Sequence, residues 1–411
     1  MSEAFARTEL GGGLLVLTET MPGLHSASIG VWVRAGSVTE SHEEMGVSHL
    51  LEHMVFKGTA RRTAREIALV LERLGGSLDA YTTREHTSYQ ARVLDQHLDV
   101  ALEVLADLVL SPTLREEDLE LERKVVLEEI ATVEDTPDDL IFDLHSELLW
   151  GGHPYGYRIL GTRESVGRAR AETLRAVHAR EYRRSNIVVA AAGSVDHQRF
   201  VERVAGLFGG APAGPSSNGG RAPTPVAPRV DRLERDSAQT HVVFGARTFG
   251  HADPRRYALT LLSTALGGGM SSRLFQRVRE ELGLAYAVYS FHSLYRHGGM
   301  IGVYAGTRPD GADRTEETIR EELARIAREG LPAAELEDAK GQTKGHLVLS
   351  LESSGTRLHR LAGAALYGEP FRSAEEVMRC VDAVTIGDVA ALAAEYLAPE
   401  AQTVLRLGPD L

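Results

Sequence analysis

Residues 209–229, GGAPAGPSSNGGRAPTPVAPR, stand almost at the midpoint of a 411-residue chain, and ten of these 21 residues are Gly or Pro. Such a stretch cannot pack a core and reads as an extended linker. The chain is then expected to fold as two domains, residues 1–208 and 230–411, each close to the size that one hydrophobic core supports. The two sides also resemble each other. The strand-like run at 28–37, SIGVWVRAGS, recurs in character at 240–249, THVVFGARTF, 212 positions later. The run at 182–195, YRRSNIVVAAAGSV, has its counterpart at 396–409, YLAPEAQTVLRLGP, 214 positions later. A near-constant offset points to a duplicated α+β domain.

Local signals fill in the first half. Thr63 and Glu66 have capping-box spacing before an apolar-striped helix that Gly75 can close. Residues 77–81 and 87–94 suit paired strands around the polar turn TTREH. Residues 98–110 form an apolar-striped helix that Pro112 breaks. Thr113 with Glu116 is expected to cap a long charged helix running to about Glu134, where Thr136-Pro137 stops it.

The stretch GVSHLLEHMVFKGT carries the chemistry. At helical spacing His49 and His53 are i and i+4, so both imidazoles project from one face, a geometry that suits zinc. Glu52 lies beside them and can take a proton from a water without being a ligand. The order H-x-x-E-H is that of the inverzincins. A chance match on a solvated face would not be flanked by Leu50, Leu51, Met54, Val55 and Phe56. Burying three ionisable groups without a partner would be costly, and metal ligation removes that cost. A catalytic zinc site has three protein ligands, so a third is needed. The long helix offers Glu122, Glu128 and Glu129; Glu122 and Glu129 are i and i+7 and share a face with Val125 and Val126. Spacing alone leaves open which of them ligates, or whether all are solvated charges.

These blocks, HLLEHMVFKGT, DAYTTREHTSY and ERKVVLEEI, resemble the insulinase, pitrilysin and mitochondrial processing peptidase family, over residues 5–405 or so. In that family the third ligand is a Glu about 76 positions after the second His; here 129 − 53 = 76, which implies Glu129, with Glu122 as a neighbouring acidic support. The resemblance implies two homologous α+β domains, each a mostly antiparallel sheet with helices packed on one face, making half of a clam-shaped chamber. A chain of this length would then dimerise to close the chamber, as a homodimer or with a related subunit. The second half has no HxxEH; its region reads LLSTALGGGMSSRLFQ, where the glycines lack the GKS or GKT of a phosphate loop. A helix over residues 272–281 is expected to follow. Arg279 and Tyr286, seven apart, match the family pair that reaches the active site to hold substrate carbonyls and the oxyanion. Otherwise they read as a surface charge and a core aromatic. The peptide is expected to add as a strand beside Asp79, Ala80 and Tyr81.

The expected activity is therefore zinc (Zn2+) endopeptidase chemistry on short or unfolded chains. The rival is a non-catalytic scaffold or partner subunit of the same family, which tends to lose the ligands this chain keeps; a metal hydrolase of non-peptide substrates is a further alternative. Among the other histidines, His86, His145, His153, His241 and His251 lack ligand spacing to one another, and most of them are expected at the surface or in loops. A net charge of −13 argues against nucleic acid as a partner. The lone Cys380, beside Val377, Met378 and Val381, is expected to be a buried thiol, and one cysteine fits a reducing compartment. No signal core opens the chain and no apolar run approaches a membrane span, so a soluble cytoplasmic protein is expected.

Overall fold

In the computed structural model, which describes residues 4–216 and 220–409, the strands form two separate sheets. The first holds β1 Ala4–Leu10, β2 Leu14–Thr20, β3 Ser26–Val33, β4 Ser77–Thr82, β5 Thr87–Leu94 and β6 Ile187–Gly193, in the order β1-β2-β6-β3-β5-β4. The second holds β7 Val230–Glu234, β8 Thr240–Thr248, β9 Ala285–Leu294, β10 Gly299–Thr307 and β11 Thr403–Gly408, in the order β7-β11-β8-β10-β9. With β1 set aside, the two sheets follow the same path. Each has one parallel pair, β2–β6 or β7–β11, and its other pairs are antiparallel. The duplication seen as a sequence offset is present as topology.

The helices of the first half are α1 Val47–Val55, α2 Ala64–Glu72, α3 Leu98–Leu110, α4 Glu116–Glu134, α5 Pro137–Trp150, α6 Arg163–Arg168, α7 Ala171–Glu181 and α8 His197–Phe208. Those of the second are α9 Arg256–Gly267, α10 Ala312–Glu329, α11 Ala333–Ser350, α12 Ser354–Tyr367, α13 Ala374–Asp382 and α14 Ile386–Tyr396. No described helix is long and apolar enough to cross a membrane.

The compact units do not follow the linear division at residues 208 and 230. The first comprises Met1–Ala131, Tyr157–Gly220 and Ser350–Phe371; the second comprises Thr132–Gly156, Arg221–Leu349 and Arg372–Leu411. Thus α5 belongs to the second unit and α12 to the first. The reason is that the central strands are apolar on both faces. In the first sheet Ile29, Val31, Val33, Ile187, Val189 and Ala191 face the main core with α1, α3, α7 and α8. Their alternates, Trp32, Val188, Ala190 and Ala192, meet Leu358, Leu361 and Ala362 of α12. Period-two alternation presents both sets, and each needs cover. A buried ion pair between Glu19 of β2 and Arg357 fastens α12 there. In the second unit Val243, Tyr304, Leu405 and Leu407 are covered by Leu140, Ile141 and Leu148 of α5. So each unit is α+β with its helices on one face and one further helix on the other.

Several local expectations differ from the structure. The Thr63–Glu66 capping box forms, but Thr113 does not cap α4: its hydroxyl donates to the Gly58 carbonyl (3.1 Å), and Glu116 accepts from the Ala171 N–H (3.0 Å). His145 and His241 are buried rather than at the surface. The His145 ring lies 3.0 Å from the Thr403 carbonyl through Nε2 and that of His241 2.9 Å from the Tyr304 hydroxyl through Nδ1. Cys380 is half-buried. The linker residues described, 209–216 and 220–229, form neither helix nor strand, yet the second stretch is tied down. Arg221 and Thr224 carbonyls meet His153 and Arg247, at 2.8 and 2.7 Å. Ser217, Asn218 and Gly219 lie outside the described residues.

Candidate active site

Helix α1 buries Leu50, Leu51, Met54 and Val55 in the core of the first unit, which turns His49, Glu52 and His53 away from it. Its start is fixed by Gly46, whose φ of +88° favours glycine and whose Cβ would fall 2.6 Å from the Leu160 carbonyl oxygen. The first turn is capped by a side chain from outside the helix. Buried Glu40 accepts the Gly46 N–H (2.9 Å) and the Ser48 N–H (2.7 Å).

Opposite α1 runs α4. Glu129 Oε2 lies 3.8 Å from His49 Nε2 and 3.6 Å from His53 Nε2. One donor atom from each of the three lies within 4.8 Å of the others. Two ligand atoms of one tetrahedral zinc stand about 3.3 Å apart, so a small inward movement would satisfy the ion. Seven residues earlier on α4, buried Glu122 receives the other side of His53: Oε1 is 2.9 Å from Nδ1, and Oε2 is 2.5 Å from Lys57 Nζ. The carboxylate can only accept, so Nδ1 carries a proton, and in the neutral ring the Nε2 lone pair faces Glu129. Glu128, the exposed neighbour, is not part of the cluster.

Burial and the neighbouring His53 push His49 down to about 3, so its ring is neutral at neutral pH and can offer a lone pair. For His53 burial opposes the charged form, but Glu122, Glu129 and Glu52 outweigh it and hold its pKa above the ordinary histidine value. Burial works against ionised Glu122 as well; His53 and Lys57 overcome it and keep the carboxyl below its usual range. Burial raises Glu52, against the Thr82 hydroxyl and His53, with Glu129 adding to the rise. A raised carboxyl pKa is what a general base working near neutrality requires. Two imidazole nitrogens and one carboxylate oxygen, with the rings neutral or oriented by a carboxylate, fit a catalytic zinc with an open position.

Glu52 is held by a residue that sequence spacing did not single out. The Thr82 hydroxyl donates to Glu52 Oε2 at 2.6 Å. Thr82 closes β4, the last strand of its sheet, so Asp79, Ala80 and Tyr81 lie on an edge strand that ends beside Glu52. Asp79 is exposed, and the Tyr81 hydroxyl is within 3.3 Å of both Trp32 Nε1 and His359 Nδ1. Lys57 and Glu40 were also missed. Lys57 stands four positions after His53, a helical-face spacing that could have marked it; Glu40 sits in the polar run TESHEE, which carries no such signal.

Arg279 and Tyr286 are in the second unit. They meet each other: Arg279 Nη1 donates to the Tyr286 carbonyl (2.9 Å) and its guanidinium carbon is 4.5 Å from the Tyr286 ring centre. Tyr286 is 77% exposed on β9, the edge strand of the second sheet, and so is no core aromatic. The helix expected over residues 272–281 is π-helical over Phe275–Glu281, a local widening that recurs at functional sites.

The chain is similar to known proteins along most of its length. Residues 15–163 match the family model of insulinase (peptidase family M16), and residues 168–343 match that of the peptidase M16 inactive domain. An uncharacterized zinc protease of Mycobacterium leprae is 42% identical over 402 residues, 96% of this chain and 90% of the relative. The uncharacterized zinc protease YmxG of Bacillus subtilis is 40% identical over 381 residues, 93% of each. Among solved structures, a peptidase M16 inactive domain from Pseudomonas fluorescens shares the fold with a TM-score of 0.93, at 24% identity over 99% of this chain and 98% of that one. A protease from Helicobacter pylori does so at 0.91, with 23% identity over 99% of this chain and all of that one.

Proposed function

This chain belongs to the insulinase family, peptidase family M16, and from that premise we propose that it is a zinc-dependent endopeptidase acting on short peptides or unfolded polypeptides. The observation that carries the proposal is the convergence of His49, His53 and Glu129 one helical turn from buried Glu52. These three side chains would hold the metal. When bound, zinc would supply Lewis acidity to the scissile carbonyl and to a water. Glu52, with Oε2 held by Thr82, takes the proton of the attacking water and returns it to the leaving amine nitrogen. An extended peptide pairing with the free edge of β4 would be held chiefly through its main chain, which gives affinity with little demand on sequence. A folded protein cannot offer such a strand. The chain acts in the cytoplasm as a homodimer, or beside a related subunit, with Arg279 and Tyr286 of a partner copy holding substrate carbonyls and the oxyanion.

The test is Glu52→Gln. It should keep one zinc per chain and lose cleavage of a quenched peptide library, because the amide cannot accept the proton while the ligands remain. Wild-type cleavage should stop with a chelator and return with zinc. A Glu52→Gln protein that still cleaves refutes the role of the base. A wild-type protein that takes up no zinc would favour instead a non-catalytic subunit of the same family.

A further inference from the structure

The two histidines are held unequally. His53 Nδ1 is bound to Glu122, whereas His49 Nδ1 is buried and has no hydrogen-bond partner. The orientation of His53 therefore rests on one carboxylate, Glu122, whose side chain is only 6% exposed. That carboxylate is itself gripped from the far side. Lys57 follows α1 by two residues, four positions after His53, and places Nζ 2.5 Å from Glu122 Oε2. Its backbone N–H closes on the Met54 carbonyl at 3.1 Å, so the start of the side chain is set by the end of the same helix that carries the histidines.

We propose that Lys57 is a positioning residue for the metal centre: by clamping Glu122 Oε2 it keeps Oε1 on His53 Nδ1 and so aims His53 Nε2 at the ligand position. Among the described residues Glu122 has two ion-pair partners, His53 and Lys57. Once the His53 ring gives its lone pair to a metal it is neutral, and Lys57 is then the one formal positive charge among those partners. A buried carboxylate stripped of its counter-charge is costly and turns toward water. That rotation would carry Oε1 off the imidazole. The inference rests on the metallopeptidase function proposed above and adds a residue that touches neither metal nor substrate.

The experiment reads zinc affinity, by competition with a chromophoric chelator, in wild type, Lys57→Met, Lys57→Arg, Glu122→Gln and the Lys57→Met/Glu122→Gln double variant. Side-chain 15N spectra of His53 accompany it. Partners that orient a metal-binding histidine are each worth about 10–100-fold in affinity, and a residue acting through one should reach the lower end, about tenfold. Lys57→Met is expected to lose about that much and to depopulate the Nδ1–H form of His53. Lys57→Arg, which restores a cation, should return both to within about threefold. In the Glu122→Gln background Lys57→Met should cost nothing further, because the intermediary is gone. Additive losses, or a Met variant that binds zinc as wild type does with an unchanged His53 spectrum, overturn the proposal. If the Met variant fails to fold, wild-type His53 spectra with Nε2–H as the main form overturn it as well. A wild-type chain that binds no zinc would instead refute the function on which it rests, so the two failures differ.

Discussion

Glu40 offers a quantitative test of how α1 is held. Its carboxylate is 6% exposed and accepts two backbone N–H groups at the start of the helix. Burial, with a smaller push from Glu44, outweighs those bonds and raises the group from 4.5 to about 7. The folded chain therefore holds more protons than the unfolded chain between about pH 4.5 and 7. The contribution of Glu40 to stability must fall as pH rises through that window and be flat on either side of it. The difference, 7 − 4.5 = 2.5 pH units, corresponds to about 3 kcal/mol at 1.36 kcal/mol per unit. Glu40→Gln has nearly the same shape and no titration. The stability of wild type minus that of the variant should thus drop by about 3 kcal/mol between pH 4.5 and 8, roughly 6–12 °C in Tm for a unit of about 200 residues.

The assay is thermal unfolding of the full chain at half-unit steps of pH. Chelator is present throughout, so that metal binding does not add its own pH dependence. The two tryptophans are Trp32 and Trp150, one in each unit, and a Trp150→Phe background lets Trp32 report the first. Glu40→Ala serves as the contrast. It bares both N–H groups and should cost about 2–6 kcal/mol at every pH. A wild-type-minus-Gln difference that stays constant within about 1 kcal/mol across the range would show that burial does not dominate at Glu40, and the argument would fail.

Two further outcomes follow from the site. Glu129→Gln should weaken zinc binding by at least about tenfold in chelator competition, whereas Glu128→Gln, one position away and outside the cluster, should stay within about threefold; equal losses would mean that α4 presents a different face. Mixing inactive Glu52→Gln chains with inactive Tyr286→Phe chains should restore cleavage if a partner copy completes each site, since one site of the mixed dimer collects both lesions and the other is intact; no recovery after verified subunit exchange would refute the shared site.

What could be read from the chain and what could not divide along physical lines. The HxxEH helix was legible because a 3.6-residue period fixes which side chains share a face, whatever lies around them: His49, Glu52 and His53 had to emerge together once α1 was a helix. The hairpin β4–β5 was legible because its turn residues are local. The third candidate ligand was different. Glu122, Glu128 and Glu129 are chemically alike, and spacing within α4 left them open; the family resemblance selected Glu129. The exchange of α5 and α12 between units had no local signal at all. An amphipathic helix announces that it will cover an apolar face but not which one. Here the choice rests on details such as the small residues Ala190 and Ala192 of β6 meeting Ala362 and Ala365 of α12. Buried charge is the hardest to foresee. Glu40 and Glu43 stand three positions apart in one polar run, yet Glu43 is exposed and Glu40 is buried. Composition cannot separate them, because the acceptor is defined by its donors. Those are the N–H groups of Gly46 and Ser48, which converge only after Gly46 takes a left-handed turn and α1 begins. The same holds at Thr82, whose hydroxyl has a role only because β4 ends beside Glu52. Local periodicity thus supplies the reacting groups, and the side chains that hold them in place arise from contacts that exist only once the sheet and helices have met.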